Sequence, residues 1–276
     1  MKLTYASAQL LRVMPRERIS RIMGQLADVQ WPRPLERAVL GAYCRAYDVA
    51  MEECEAPDRW ASFDHFFTRR LRDGARPLAE GATWVSPADG RLESPGVVTA
   101  DSLYLVKGRP YRVDELVGDP EEARRYVGGG GCVVYLSPRD YHRVHTPAAG
   151  KLVCVRSMPG DYFPVNSIGL DHVPNLFVRN RRVALAIDTE SYGRVTVVMV
   201  AAMVVGRITV TGIDARDVPY GTHVLDAPIA LDAGAELGMF HLGSTAVVFF
   251  EPKGFARFLA PEGPIKMGQA LAEAGA

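Results

Sequence analysis

A serine near the C-terminal end of the chain has the local context of a group that could be held rigidly for chemistry. Ser244 follows Gly243 and leads into the apolar run Ala246–Phe250. A serine hydroxyl is a weak nucleophile until a base takes its proton and a third group orients that base. By itself the pattern is also typical of a turn that enters a buried strand. A catalytic role for Ser244 therefore requires a histidine and a carboxylate elsewhere in the chain.

Two polar segments could supply these groups. Asp89 lies in the turn-forming segment Val85–Gly90, where an aspartate often only bonds nearby backbone amides. His142 and His145 lie in the segment Tyr135–Pro147; they point to opposite faces if the segment is extended and could converge if it is a turn. Either histidine could instead satisfy backbone groups. A metal pair lacks a third ligand at recognisable spacing, so we expect no metal site.

Residues 1–75 are predicted to be mainly helical. Apolar residues at spacings of three and four form one stripe between Pro15 and Val29, and Pro15 suits a first helical position. The stripe consists of Ile19, Ile22, Met23, Leu26 and Val29. It either packs on the rest of the protein or lies in a membrane interface, where neighbouring arginines meet anionic headgroups. Further helices are predicted from Pro34 to Glu53 and from the N-cap Ser62 to Leu71.

Short apolar runs separated by turn residues dominate the chain from Trp84 onward, which predicts a β-rich domain. The runs are Leu103–Val106, Cys132–Leu136, Leu152–Val155, Val183–Ile187, Val195–Val205, Ile208–Val210 and Ala246–Phe250. A short helix is predicted from Val113 to Tyr126, followed by a glycine linker at Gly128–Gly131. The predicted fold class is α+β, with N-terminal amphipathic helices in residues 1–75 and a β-rich domain of antiparallel or mixed sheets in residues 76–276.

Composition excludes several classes of protein. The 276 residues carry 32 basic and 32 acidic side chains, so overall charge indicates no nucleic-acid partner. Residues 1–46 are locally basic, with eight basic and three acidic side chains. The four cysteines show no C-x-x-C spacing, and we expect neither a disulfide framework nor a zinc site. No secretory signal is evident, and the longest apolar run, Val195–Val205, is too short to span a bilayer. Any membrane contact is therefore expected at the surface.

Taken together, the polar segments resemble the phosphatidylserine decarboxylase family, in order from about residue 60 to the C-terminus. The resemblance is carried by Ser86–Gly90, Tyr135–Pro147, Met158–Asn166, Val173–Val183 and Leu242–Thr245. Three positions depart from the family pattern: Thr146 stands where Met is common, Tyr162 where a smaller aliphatic residue is expected, and His241 where Lys or Arg is common. None of them is a residue that the chemistry requires.

The resemblance implies a proenzyme that cuts itself between Gly243 and Ser244. His145 would take the proton of the Ser244 hydroxyl, and Asp89 would orient and stabilise the imidazolium. Glycine at 243 would allow strained backbone geometry and an open carbonyl. The products would be a β chain of residues 1–243 and an α chain of residues 244–276 that begins with a pyruvoyl group. The two would stay together as a heterodimer, and whether heterodimers assemble into a larger homo-oligomer is left open by the sequence.

For the mature enzyme the resemblance implies decarboxylation of phosphatidylserine to phosphatidylethanolamine, through a Schiff base between the substrate amine and the pyruvoyl group. His142 is the candidate proton donor or carboxylate contact in that step. Arg143 and Arg179 lie near the motifs and could meet the phosphate. The expected location is the cytoplasmic side of the cell membrane, as a peripheral protein held by the basic helical arm.

Three alternatives stay open at the level of sequence. A pyruvoyl decarboxylase of a soluble, for example aromatic, amino acid would mature in the same way. A serine hydrolase built from Asp89, His145 and Ser244 would remain one chain, but no Gly-x-Ser-x-Gly elbow surrounds Ser244. A β-rich lipid-binding protein without catalysis would neither cleave nor depend on Ser244.

Overall fold

A computed structural model describes residues 15–55, 60–204 and 207–275. The helices in these ranges are α1 Arg16–Ala27, α2 Arg33–Tyr47, α3 Phe63–Phe67, α4 Val113–Val117, α5 Pro120–Arg124, α6 Ser167–His172 and α7 Leu176–Arg179. The strands are β1 Trp84–Val85, β2 Gly90–Val97, β3 Leu103–Val106, β4 Arg109–Arg112, β5 Gly130–Leu136, β6 Arg143–His145, β7 Gly150–Met158, β8 Arg182–Asp188, β9 Arg194–Ala201, β10 Arg207–Val210, β11 Gly221–Leu231, β12 Glu236–His241, β13 Ser244–Phe250, β14 Arg257–Phe258, β15 Gly263–Ile265 and β16 Ala270–Glu273. Helices come first and antiparallel strands follow, so the predicted α+β class is confirmed.

The core is built around an eight-stranded antiparallel sheet in the order β11-β7-β8-β9-β13-β5-β2-β15. Strand β13 lies inside this sheet and is hydrogen-bonded to β5 on one side and to β9 on the other. All seven of its residues are buried. The run of β-branched and aromatic side chains in β13 suits a strand that is covered on both faces.

A smaller sheet, in the order β10-β12-β6, is joined to the large one by several connections, and two of these links carry the candidate residues. The chain leaves β12 at His241 and enters β13 at Ser244, so Leu242 and Gly243 form one link. The other link joins β5, which ends at Leu136, to β6. Because β5 pairs with β13 and β6 pairs with β12, the two links run side by side.

Helix α1 packs through its small residues. The buried positions are Ser20, Gly24 and Ala27, whereas the predicted apolar stripe is mostly exposed. The exposed fractions are 54% for Ile22, 38% for Met23, 50% for Leu26 and 44% for Val29. Of the two predicted alternatives, the one in which this stripe packs on the rest of the protein was therefore wrong. Within the described residues, no helix combines the length and apolar character needed to cross a bilayer.

The later helices are shorter than predicted. Helix α2 ends at Tyr47 because Asp48 adopts a left-handed conformation with φ of 55°, which aspartate tolerates better than most residues. Ser62 caps α3 as predicted, by accepting a hydrogen bond from the His65 amide at 3.1 Å, but α3 ends at Phe67. The helix predicted from Val113 to Tyr126 is two helices, interrupted by Gly118 with φ of 77°.

Every predicted apolar run falls on a strand, and Leu103–Val106 matches β3 at both ends. The run Val195–Val205 is the exception in length, because β9 ends at Ala201; Val205 lies outside the described residues. The long edge strand β11 was missed. The division of the chain into domains at residue 75 stays a prediction.

The central position of β13 leads to a stability prediction. Val247→Ala removes two buried methyl groups where Val247 is 0% exposed, and we expect it to lower the free energy of unfolding by about 2–3 kcal/mol. The matched substitution Val224→Ala, at a position 71% exposed on the edge strand β11, should cost less than about 0.5 kcal/mol. Urea unfolding of both variants measures the difference. Equal effects would contradict the central placement of β13.

Candidate active site

The segments that carry Asp89, the two histidines and Ser244 meet where the two links pass between the sheets. The backbone amide of His145 donates to the Pro87 carbonyl at 2.8 Å, which brings the Ser86–Asp89 turn to the end of β6. The amide of Phe240, at the end of β12, donates to the carbonyl of His142 at 3.0 Å. Strand pairing therefore places the histidine link beside the link that ends at Ser244.

Ser244 is buried, with an exposed fraction of 1%. Its Oγ has no hydrogen-bond partner among the described residues, and the same holds for Oγ1 of Thr245. Buried hydroxyls without partners are rare in folded proteins, because each costs the free energy of its lost hydration. An unpaired hydroxyl at this position is consistent with a group kept for reaction.

Backbone strain lies one residue earlier than expected. Leu242 has φ of 85°, a left-handed conformation that costs a leucine about 1–2 kcal/mol. Its side chain is buried against Ala27 of α1 and Phe67 of α3, and this packing holds the conformation. Gly243 is not among the residues with positive φ, so the left-handed strain in this link lies at Leu242, and strained geometry at Gly243 stays a prediction. A Cβ at Gly243 would meet no atom within 4 Å, and space beside its backbone is open.

The ring of His145 is fixed at both nitrogens. Nδ1 lies 2.8 Å from the Gly234 carbonyl, and Nε2 lies 3.0 Å from the Tyr141 hydroxyl. Because a carbonyl only accepts, the neutral ring carries its proton on Nδ1, and Nε2 accepts from Tyr141. Burial lowers the pKa of His145 despite opposing effects of the Gly234 hydrogen bond and nearby carboxylates. The ring is thus a neutral base at neutral pH, with its lone pair facing Tyr141.

The Asp89 carboxylate is bound elsewhere. Its oxygens accept from the Arg76 guanidinium at 2.5–3.1 Å and from the Met267 amide at 2.8 Å. No hydrogen bond joins Asp89 to His145 within the described structure; the charge of Asp89 acts on His145 through space. The structure brings the segments of Asp89, His145 and Ser244 to one junction, but it does not hydrogen-bond them in series. The triad remains a prediction.

His142 is fully buried and packs on Phe67, with ring centroids 4.1 Å apart. Its Nδ1 donates to the Asp140 carbonyl at 2.8 Å, so the unprotonated nitrogen is Nε2, which has no partner among the described residues. Burial lowers the pKa of His142 from 6.5 to about 3. The ring therefore stays neutral throughout the physiological range.

Three contacts were missed from sequence: Arg76 on Asp89, Tyr141 on His145, and Phe67 on His142. Tyr141 precedes His142 in the quoted motif, and its position beside two histidines was a signal that could have been used. Arg76 gave no such signal, because it is distant in sequence from the motifs and its partner is set by the fold.

An apolar cavity of about 640 Å³ has Gly243 and Ser244 in its wall. Met23 and Leu26 of the exposed α1 stripe line it, together with Tyr43 of α2. The cavity therefore connects the outer apolar face of the helices with the Gly243–Ser244 bond. Its lining suits long hydrocarbon chains better than a small polar substrate.

Other candidate residues have structural partners. Arg143 donates to the Thr68 carbonyl at 3.0 Å and pairs with Glu236, whereas Arg179 is exposed above the Phe163 ring. His241 binds Asp64 at 2.8 Å and Thr209 at 3.1 Å, which fits a structural role. Among the described residues, no three His, Cys, Asp or Glu side chains form a potential metal site.

The burial of His142 predicts a pH effect on stability. Because the folded-state pKa lies below the unfolded value, the unfolded chain binds the extra proton, and stability is lost as pH falls from 6.5 towards about 3. Over that interval the residue should lower the free energy of unfolding by about 1.4 kcal/mol per pH unit. His142→Gln should remove this part of the slope in urea unfolding. The control His223→Gln, on the edge strand, should leave the slope unchanged, and equal slopes in all three proteins would contradict the prediction.

Comparison with known proteins gives a consistent result. The family model described as phosphatidylserine decarboxylase matches residues 63–273. The phosphatidylserine decarboxylase proenzyme of Bordetella petrii is 41% identical to this chain, over 94% of this chain and 93% of the relative. That of Bordetella pertussis is 40% identical, over 94% of this chain and 91% of the relative. The proenzyme of Acinetobacter baumannii is 40% identical over 87% of this chain and 85% of its own. The resemblance found in the motifs is confirmed: the chain belongs to the phosphatidylserine decarboxylase family and is an enzyme of the decarboxylase class.

Proposed function

We propose that this protein matures by cutting itself between Gly243 and Ser244 and then decarboxylates phosphatidylserine to phosphatidylethanolamine. The observation that carries the proposal is the apolar cavity that runs from the exposed α1 side chains to the Gly243–Ser244 bond. A substrate with long acyl chains and a small polar head fits such a shape. The relatives are named as proenzymes, which fits a chain that needs maturation.

Maturation would use groups of this chain alone. His145, neutral because burial lowers its pKa, takes the Ser244 hydroxyl proton, and Asp89 stabilises the resulting imidazolium through space. The Ser244 oxygen attacks the Gly243 carbonyl, the C–N bond breaks, and the amide becomes an ester. Loss of the α-proton of residue 244 and β-elimination then release the Gly243 carboxylate as a new C-terminus and leave a dehydroalanine. Its imine tautomer is hydrolysed by water, which releases ammonia and leaves the pyruvoyl group. Since Nε2 of His145 faces Tyr141, the tyrosine must pass the proton or move aside.

The surroundings of residue 244 fit a pyruvoyl group. The position is buried at the start of a rigid strand, and the wall of the cavity opens beside it. A pyruvoyl group there supplies an electron sink for loss of carbon dioxide. His142, with an unpaired nitrogen in the same junction, would contact the substrate carboxylate or move a proton. Phe67 excludes water from that histidine.

The two chains would remain associated after cleavage. Strand β13 belongs to residues 244–276, yet both of its neighbours, β5 and β9, belong to residues 1–243. The ladder from Thr245 to Phe250 is left intact by the cut, and only the amide nitrogen of residue 244 is lost on its conversion to pyruvoyl. Assembly of more than one such heterodimer stays a prediction.

Helix α1 would hold the enzyme on the membrane as a peripheral protein on its cytoplasmic side. Ile22, Met23 and Leu26 are exposed and apolar, and the arginines at positions 18, 33 and 37 are exposed nearby in sequence. An apolar stripe with basic neighbours is the pattern of a helix that lies in the interface of an anionic bilayer. From there an acyl chain could reach the cavity without leaving an apolar environment.

The maturation proposal predicts two chains in the purified protein. Intact mass should show residues 1–243 and a fragment of residues 244–276 that begins with pyruvoyl, because Ser244 supplies both the nucleophile and the group. Ser244→Ala should give one uncut chain without decarboxylase activity, and the neighbouring Thr245→Ser should still be cut. A wild-type protein that remains one chain would refute self-cleavage.

The substrate is checked with the same preparation. Carbon dioxide release should occur with phosphatidylserine vesicles and be absent with free serine or tryptophan. A cleaved enzyme that acts on tryptophan alone would instead indicate a soluble amino acid as substrate.

Membrane docking predicts loss of vesicle binding when the α1 stripe is charged. Ile22→Glu with Val29→Glu, two exposed stripe residues outside the cavity lining, should weaken flotation with anionic vesicles by about tenfold or more, because two apolar contacts with the bilayer are lost. The matched control, Val97→Glu with Val224→Glu, changes two exposed valines on β2 and β11 and should float normally. Both variants should retain activity on a short-chain, monomeric phosphatidylserine. Unchanged flotation of the helix variant would rule out docking through α1.

A further inference from the structure

Arg76 is buried between two carboxylates. Its side chain is 6% exposed, and Nη2 lies 2.5 Å from an oxygen of Asp89 and 2.5 Å from an oxygen of Glu53. Nε contacts both oxygens of Asp89, at 2.8 and 3.1 Å, and Nη1 donates to the Ala75 carbonyl. Each nitrogen of the guanidinium therefore has a partner. Such a two-point contact fixes the plane as well as the position of the Asp89 carboxylate.

Asp89 depends on this contact for most of its hydrogen bonds. A carboxylate that is 3% exposed is costly to bury unless a cation and hydrogen bonds compensate it. The Met267 amide gives one hydrogen bond. Lys266 stands 3.7 Å away on a half-exposed side chain, too far for a hydrogen bond. Among the described residues, Arg76 is therefore the cation that directly binds Asp89.

The remaining charged and titratable groups cannot take over this task. The charged and titratable groups that face Asp89 from neighbouring elements are Glu53, Arg76, Tyr141, His145 and Lys266. A polar cavity of about 310 Å³ lies beside Asp89, and its lining adds Asp48, Arg69, Arg139 and Asp140. The basic and acidic members of this cavity lining are balanced. Loss of Arg76 would leave four carboxylates against three cations in this lining, and Asp89 would keep only the long ion pair with Lys266 at 3.7 Å.

We propose that Arg76 is a positioning residue for self-cleavage: it holds the Asp89 carboxylate in a fixed place and orientation, so that its charge can act on His145. The inference rests on the proposed function, since it assumes that Asp89 and His145 promote the attack of Ser244. Arg76 does not contact the reacting atoms. Arg76 acts through Asp89 instead. Asp89 has no hydrogen bond to His145, so its influence depends on where its charge is held.

Glu53 extends this arrangement into the helical part of the chain. It lies in the short 3₁₀ segment after α2 and shares Nη2 of Arg76 with Asp89. Glu53 thus restrains the outer side of the guanidinium, whereas Asp89 takes the inner side. Its loss leaves the contact between Arg76 and Asp89 intact, so it should have a smaller effect.

The test measures cleavage of newly made chain as a function of time and pH, by cell-free synthesis. Arg76→Gln should slow cleavage by about 100-fold, as expected when a catalytic group is misplaced, and should move the acid side of the rate–pH profile to higher pH. Arg76→Lys, which keeps a positive charge but loses the two-point contact of the guanidinium, should be cleaved faster than Arg76→Gln and more slowly than the wild type. Glu53→Gln should slow cleavage less than Arg76→Gln. The control Arg70→Gln changes an exposed arginine of the same loop and should behave as wild type.

Chemical rescue separates positioning from folding. Arg76→Ala leaves space beside the polar cavity, and guanidinium ion at a low, non-denaturing concentration should speed its cleavage, whereas the same concentration of tetramethylammonium should not. If the Gln and Ala variants fail to fold, Arg76→Lys decides, because an unchanged rate and an unchanged pH profile would overturn the inference. Wild-type chain that is never cut at Gly243–Ser244 would refute the proposed function itself. Wild-type chain that is cut, with Arg76 variants cut at the same rate, would refute the role of Arg76 alone.

Discussion

The geometry of the site depends on one constraint: two of the links between the large and the small sheet are paired with each other at both ends. Strands β5 and β13 are hydrogen-bonded in the large sheet, and β6 and β12 are hydrogen-bonded in the small one. The links between them are therefore tethered at both ends and cannot separate. One carries His142 and the other ends at Ser244. Nε2 of His142 and Oγ of Ser244 are buried without partners among the described residues, and burial keeps His142 and His145 neutral.

Much of this could be read from the sequence, and the remainder could not, for identifiable reasons. Apolar runs located the buried strands because burial selects β-branched residues, and β3 was correct at both ends. Strand β11 was not predicted, because most of its residues are exposed at a sheet edge and do not form an apolar run. The end of α2 was missed because a single left-handed Asp48 overrides a continuing helical pattern. The motifs supplied the candidate site residues, whose roles stay predictions, but the partners of Asp89 and His145 are set by tertiary contacts that residue spacing does not encode.

Helix α1 reverses the usual rule for an amphipathic helix on a globular domain. Its small residues allow close approach to the protein, where Ser20 accepts a hydrogen bond from Val204 and Asp28 pairs with Arg207. Its large apolar residues are left outside. Attachment by hydrogen bonds and ion pairs keeps the helix in place without using the apolar stripe. The same helix can therefore support the cavity wall and offer a hydrophobic surface, two tasks that would compete if the stripe packed inward.

The left-handed conformation of Leu242 has a consequence for the direction of maturation. As long as the chain is continuous, β12 and β13 hold both ends of the link, and Leu242 cannot relax. A cut after Gly243 frees one end, so the strain of about 1–2 kcal/mol is released only in the product. The new carboxylate would also be drawn away from the apolar cavity towards water. Release of the strain at Leu242 would therefore separate the two new ends and disfavour their rejoining. The space that they leave would become the entrance for the lipid headgroup.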